Sequence, residues 1–187
     1  MATVNLLPNA DVSNNWLLSS GADVWALLDE DGTGSPPSDG RHIYTTDAVS
    51  AKDAVVEFQD FDATGVASID SVQAVIRSNV YERGKTYNLG MYIGYNGSGA
   101  ASWGIENTGS QNSSASWVTY TFTSRSFSSA HPSGPAWNDT DIDNITVRIQ
   151  SSALSGGTFR VTYAYYIITY TEAAVAADNA TFFGTNF

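Results

Sequence analysis

The chain has 187 residues, 42% hydrophobic and 12% aromatic against 14% charged, enough apolar material for one good core and well outside the composition of disorder. With 19 acidic and eight basic residues the net charge is -11, so long-range forces repel phosphate backbones and anionic bilayers, which excludes nucleic acid and membrane as partners. The sequence contains no cysteine, which excludes a disulfide framework and thiolate metal sites and leaves stability to the core.

In chain order, the first residues carry Val4, Leu6 and Leu7 but no basic region followed by an apolar run. No stretch approaches the roughly 18 apolar residues of a spanning helix. The expectation is a soluble, non-exported chain with residues 1–15 as an N-terminal arm. Segments 24–28, 42–46 and 54–59 are short, rich in β-branched and aromatic residues and bounded by turn formers, and are predicted as strands. Between 69 and 80, Val72, Ala74, Ile76, Ser78 and Val80 share one face while Ser71, Gln73, Arg77 and Asn79 share the other, the pattern of a half-buried strand. The same alternation runs through 87–95, with Tyr87, Leu89, Met91, Ile93 and Tyr95 on one side, and through 144–150, with Ile145, Val147 and Ile149. Segments 102–106 and 117–123 read as further strands, and the polar stretches 31–40, 96–101, 107–116 and 124–135 as connections.

The segment 158–171 is apolar on both faces. Phe159, Val161, Tyr163, Tyr165 and Ile167 alternate with Ala164, Tyr166, Ile168 and Tyr170, so its second face is covered either by the chain itself or by another subunit. Residues 173–187 form a tail that ends in Phe182, Phe183 and Phe187; its Ala-rich start has no apolar stripe to hold a helix. The whole pattern predicts one all-β antiparallel sandwich over residues 16–172, with extended N- and C-terminal arms.

The chemistry-bearing residues are few. Asp139, Asp141 and Asp143 alternate as at the start of a calcium loop, but Asn144 stands where the sharp turn needs Gly and Gln150 where a bidentate Glu belongs. Asp29, Glu30 and Asp31 before Gly32 read as a solvated turn, short of the six oxygens a hard cation takes. No metal and no cofactor is expected. His42 and His131 have no nucleophile motif near them, and neither an esterase elbow, a zinc-protease helix nor a phosphate loop is present. The chain is therefore read as a non-enzyme, with paired carboxylates for glycoside cleavage left open because the fold sets their separation. Of the five tryptophans, Trp16, Trp25 and Trp137 read as core or sheet-edge residues. Trp103 and Trp117 lie beside Gly/Ser/Asn loops, where an exposed ring stacks on a sugar.

Trp25-Ala26-Leu27-Leu28-Asp29-Glu30, His42-Ile43-Tyr44, Ile69 to Arg77, Trp117-Val118-Thr119-Tyr120, Ala136-Trp137, Asp141 to Ile145 and Arg160 to Tyr170 together form a pattern of strand-edge aromatics. This pattern resembles jelly-roll head decoration (cement) proteins, or related fibre proteins, of tailed double-stranded-DNA phages. The resemblance implies a jelly-roll sandwich on the capsid exterior, made in the host cytoplasm, that forms a homotrimer and stabilises the head by bridging major capsid protein subunits. Val4, Leu6, Leu7, Tyr166, Ile168, Tyr170, Phe182, Phe183 and Phe187 are then the subunit and capsid contacts, since burial of apolar area is what fastens such a clamp. The alternative is a carbohydrate-binding or receptor-binding head or tail fibre module, in which Trp103 and Trp117 hold a host-surface glycan.

Overall fold

Period-two alternation demands sheets with one dry face each, and two such sheets stack. The computed structural model describes residues 1–29, 39–46, 52–81, 86–95, 105–112, 116–121, 125–126, 142–143, 145–151 and 158–174. In chain order these form β1 (Ala2–Leu6), β2 (Pro8–Asn14), β3 (Leu17–Leu18), α1 (Trp25–Leu28), β4 (Ile43–Thr46), β5 (Lys52–Phe58), β6 (Val66–Tyr81), β7 (Thr86–Tyr95), β8 (Ile105–Asn112), β9 (Val118–Thr121), β10 (Arg125–Ser126), β11 (Ile145–Ser151) and β12 (Thr158–Glu172).

One sheet runs β10-β6-β12-β4-β3, with β9 also on β6 and β1 also on β12; the other runs β2-β5-β11-β7-β8. Every pairing described is antiparallel. The chain is an all-β, antiparallel jelly-roll β-sandwich, as the alternation and the resemblance implied. Ile43, Val72, Ala74, Ile76 and Phe159 from one sheet meet Ala54, Val56, Val147 and Ile149 from the other in a single buried cluster. Phe58 of β5 lies 5.0 Å from the Tyr166 ring of β12, and Trp16 stands edge-on to Phe159 at 5.9 Å, so aromatic rings tie the layers together.

Four expectations change. Residues 24–28 are not a strand: Trp25–Leu28 is a helical turn. Both carboxylate oxygens of Asp11 on β2 accept from the Val24 and Trp25 amides at 2.8 Å, satisfying two donors that a helix start leaves open. The stretch 107–116, read as a connection, begins inside β8, where pairing with β7 supplies the backbone bonds that Gly, Ser and Asn propensity argued against.

Residues 1–15 are woven into the sandwich instead of forming an arm. β1 pairs with β12 from Ala2↔Tyr170 to Leu6↔Tyr166, and β2 pairs with β5 in the opposite sheet.

The fourth change concerns β12. Its register on β6 skips from Val161↔Ser78 to Tyr163↔Arg77, a bulge that inserts one residue and exchanges the faces. Phe159 and Val161 point into the core before it, and Ala164, Tyr166 and Ile168 after it. Tyr166 and Ile168 therefore belong to the chain's own core, Val4 and Tyr170 pack against that core, and Leu6 is within it. Leu7 lies half-buried between β1 and β2, its carbonyl accepting from the Gln59 amide at 2.9 Å. These six residues were expected at a subunit or capsid interface. Phe182, Phe183 and Phe187, with the rest of the tail beyond 174, lie outside the described residues.

Ile168 is 0% exposed, so Ile168→Ala should lower stability in urea denaturation by about 2–5 kcal/mol, the range for truncating a core aliphatic. A loss below about 1 kcal/mol, with an assembly falling apart instead, would return this residue to an interface role.

Candidate functional site

The β12 bulge that carries Tyr166 inward turns Tyr163 and Tyr165 to the outer face. There Tyr163 pairs with Arg77 and Tyr165 with Val75 on β6, while Arg160 pairs with Asn79 on β6 and with Tyr44 on β4. On the far side of β6, β9 sets Thr119 beside Arg77 and Thr121 beside Val75. Four strands thus deliver one continuous patch of aromatic and polar side chains. Tyr163 is its floor, 3% exposed. Its hydroxyl lies 2.8 Å from Thr119 Oγ1, which also accepts from an Arg77 Nη1 at 3.3 Å, and its ring centre is 5.8 Å from that of Tyr165.

Above this floor the Arg77 guanidinium is gripped in the bidentate geometry that suits a planar fork. Nε donates to Asp39 Oδ1 at 2.8 Å and Nη2 to Asp39 Oδ2 at 2.9 Å. This pairing, against the opposing effect of partial burial and with a smaller contribution from the nearby Tyr163, holds the Arg77 pKa above its ordinary value. Trp117, half-buried just before β9, has its ring centre 6.0 Å from Arg77 Cζ, the outer range of a cation–π contact. The His42 ring lies 5.9 Å from that of Trp117 and is itself edge-on to Tyr44 at 5.8 Å.

The segment carrying Asp39 and His42 is fastened from below. Thr162, the residue skipped in the β12–β6 register, donates its hydroxyl to the Arg41 carbonyl at 2.7 Å. The Arg41 guanidinium donates to the Ala26 carbonyl and lies 3.9 Å from Asp29. The His42 amide donates to Ser19 Oγ at 2.8 Å, and the Ser19 amide returns to the His42 carbonyl at 3.0 Å. Burial, and then the charge of Arg160, push the His42 pKa below its ordinary value, against the opposing pull of the Asp39 and Gly40 backbone. His42 is therefore neutral at pH 7. Its Nδ1 and the Oδ1 of Asn79 are buried with no hydrogen-bond partner among the described residues.

Of the two tryptophans read as sugar-stacking candidates, Trp117 lies at the centre of this patch and Trp103 lies outside the described residues. Asp29 pairs loosely with Arg41. Asp143 accepts from the Phe61 amide at 2.7 Å, which is a structural bond. No group of three or more His, Cys, Asp or Glu suited to a metal occurs among the described residues; His131, Asp139 and Asp141 fall outside them. Sequence reading singled out neither Arg77, Asp39, Thr119 nor Tyr163 as site residues. The only signal for them was the unexplained second apolar face of residues 158–171.

No protein-family model and no curated protein matches the sequence. Among solved structures, the chain is similar to the CD domains of a larger protein, at 15% identity and a TM-score of 0.51, covering 88% of this chain and 66% of that one. It is also similar to a CBM35 module from Cellvibrio japonicus Abf62 (12% identity, TM-score 0.42, 92% and 99% of the two chains). A third likeness is to the enzymatically active domain of tailspike protein 4 of bacteriophage CBA120 (13%, TM-score 0.43, 84% and 20%). At such identities the likeness is one of fold alone.

The depressed pKa of His42 gives a signed expectation. The unfolded chain takes up this proton near pH 6.5 while the folded chain resists it, so stability is full above pH 6.5 and declines as the pH falls through the lower folded value. Thermal unfolding midpoints measured at pH 7.5 and 5.5 should show a smaller drop for His42→Gln than for the parent. An equal drop in both proteins counts against a buried, neutral His42.

Proposed function

We propose that this chain is a non-catalytic glycan-binding module that works through the outer face of the β6–β12 sheet. The observation that carries the proposal is the in-plane Asp39–Arg77 pair beside the half-buried ring of Trp117. A sugar ring offers an apolar C–H face and, at its rim, hydroxyl groups that both donate and accept. The indole covers the first, and a carboxylate and a guanidinium held in one plane meet the second, because each retains lone pairs or N–H groups beyond those it spends on its partner. Few convergent polar groups on a largely aromatic surface are the usual composition of a small-ligand site.

A module of this kind acts by adhesion. The carbohydrate-binding modules that share its sandwich are in keeping with that role, and a receptor-binding head or tail fibre of a phage, the setting implied by the strand-edge aromatics, would use it on a host-surface glycan. The capsid clamp is the weaker reading. It needs free apolar segments, and Leu6, Tyr166 and Ile168 are spent in the core with Val4 and Tyr170 packed on it.

The test is a glycan array followed by calorimetric titration on the best ligand. Trp117→Ala and Arg77→Ala should each weaken binding at least about tenfold, equivalent to ~1.4 kcal/mol, while the far-ultraviolet circular dichroism of the sandwich is retained. Binding that survives both substitutions unchanged places the ligand elsewhere on the molecule.

A further inference from the structure

The patch is longer than one sugar. Tyr44 stands opposite Arg160, and Tyr165 lies five residues further along β12; at about 3.3 Å per residue, and slightly less across the bulge, the two rings mark positions roughly 15 Å apart along the strand. Both are half-buried and on the outer face. Between them the groups follow one another without a break, as ring contacts link Tyr44 to His42 and His42 to Trp117. Trp117 faces Arg77, Arg77 reaches Thr119, Thr119 reaches Tyr163, and Tyr163 touches Tyr165.

The strip therefore has an aromatic group at each end and a hydrogen-bonding group in the middle. At the Tyr165 end the floor is Val75, 1% exposed, with exposed Thr121 across from it. A single pyranose spans only one of these platforms, and a monosaccharide site would be expected to converge its polar groups on one ring. Here the aromatic platforms are set apart along the strip, with the polar cluster of Asp39, Arg77 and Thr119 between them.

We infer that the ligand is an extended oligosaccharide lying along β12, with one sugar unit on the Trp117 and Tyr44 side, one over Arg77 and Asp39, and one on Tyr165. This deepens the glycan reading above and rests on it. The rings at the two ends are fixed by the same rigid strand pair, so a chain with the matching repeat gains both contacts after losing its translational freedom once, whereas separate monosaccharides lose it each time.

Calorimetric titration with size ladders of β-linked gluco-, xylo- and galacto-oligosaccharides, from one to six units, tests the inference. Affinity should rise by roughly tenfold between one and three units, the size of an added aromatic contact, and then level off. In Tyr165→Ala the loss should grow with chain length, and Tyr165→Phe, which keeps the ring, should restore it. A monosaccharide that binds as tightly as the trimer, or a Tyr165→Ala loss equal at every length, overturns the inference while leaving glycan binding intact. No binding at any length in any ladder or on the array overturns both.

Discussion

One extra residue in β12 decides what the rest of the molecule can do. A strand with strict alternation from Phe159 onward would drive Tyr163, Tyr165 and Ile167 into the sandwich and leave Tyr166 and Ile168 outside. The skipped register at Thr162 reverses this. Tyr166 reaches across to Phe58, and Tyr163 is delivered to the opposite surface as a floor. Thr162 itself, 1% exposed, is not wasted, because its hydroxyl bond to the Arg41 carbonyl fastens the segment that carries Asp39 and His42 over that floor. Bulges re-aim side chains at the cost of one ladder position; here a single bulge fixes both the core and the patch.

The electrostatics of the patch follow from that placement. In a chain of net charge -11, Arg77 stands against the Trp117 ring and Arg160 acts on His42. Burial first, and then the charge of Arg160, hold the His42 pKa below its ordinary value, and the charge of Arg77 is met within the patch by Asp39. Arg77 spends two N–H groups on Asp39 and one on Thr119, which holds its plane fixed before any ligand arrives. Such an arrangement lowers the ordering cost of binding, since the fork does not have to be immobilised at the moment of contact.

The strands that could be read from the sequence are those with one wet face. In β6 and β11 the apolar residues fall on a single side, Val72, Ala74 and Ile76 in one and Val147 and Ile149 in the other, and all of them are buried as alternation requires. Where both faces are apolar, as in β12, alternation has nothing to arbitrate with, and the bulge goes unseen. The helical turn at Trp25–Leu28 was hidden for another reason: its cap is Asp11, more than a dozen residues earlier, on a strand of the opposite sheet. Trp117 was legible because a tryptophan beside a polar loop is unusual in itself. Asp39, Arg77, Thr119 and Tyr163 were not, since Arg77 meets partners 38 and 42 positions away and Tyr163 meets Thr119 at 44. Only the paired strands bring them together.

Where the site sits also bears on how it works. Loops on a β scaffold bind by adapting, and part of the binding energy goes into ordering them. Most of this patch lies on strand residues whose neighbours are fixed by register, with Trp117 one residue ahead of β9 and Asp39 and His42 in a segment tied down at Ser19, Ala26 and Thr162. The surface is thus a preformed strip of rings and polar groups at set intervals. On the proposed reading, selection on such a surface comes from matching the spacing and hydroxyl orientation of a repeating glycan, because neither the strands nor the bulge can shift without disturbing the core on their other side.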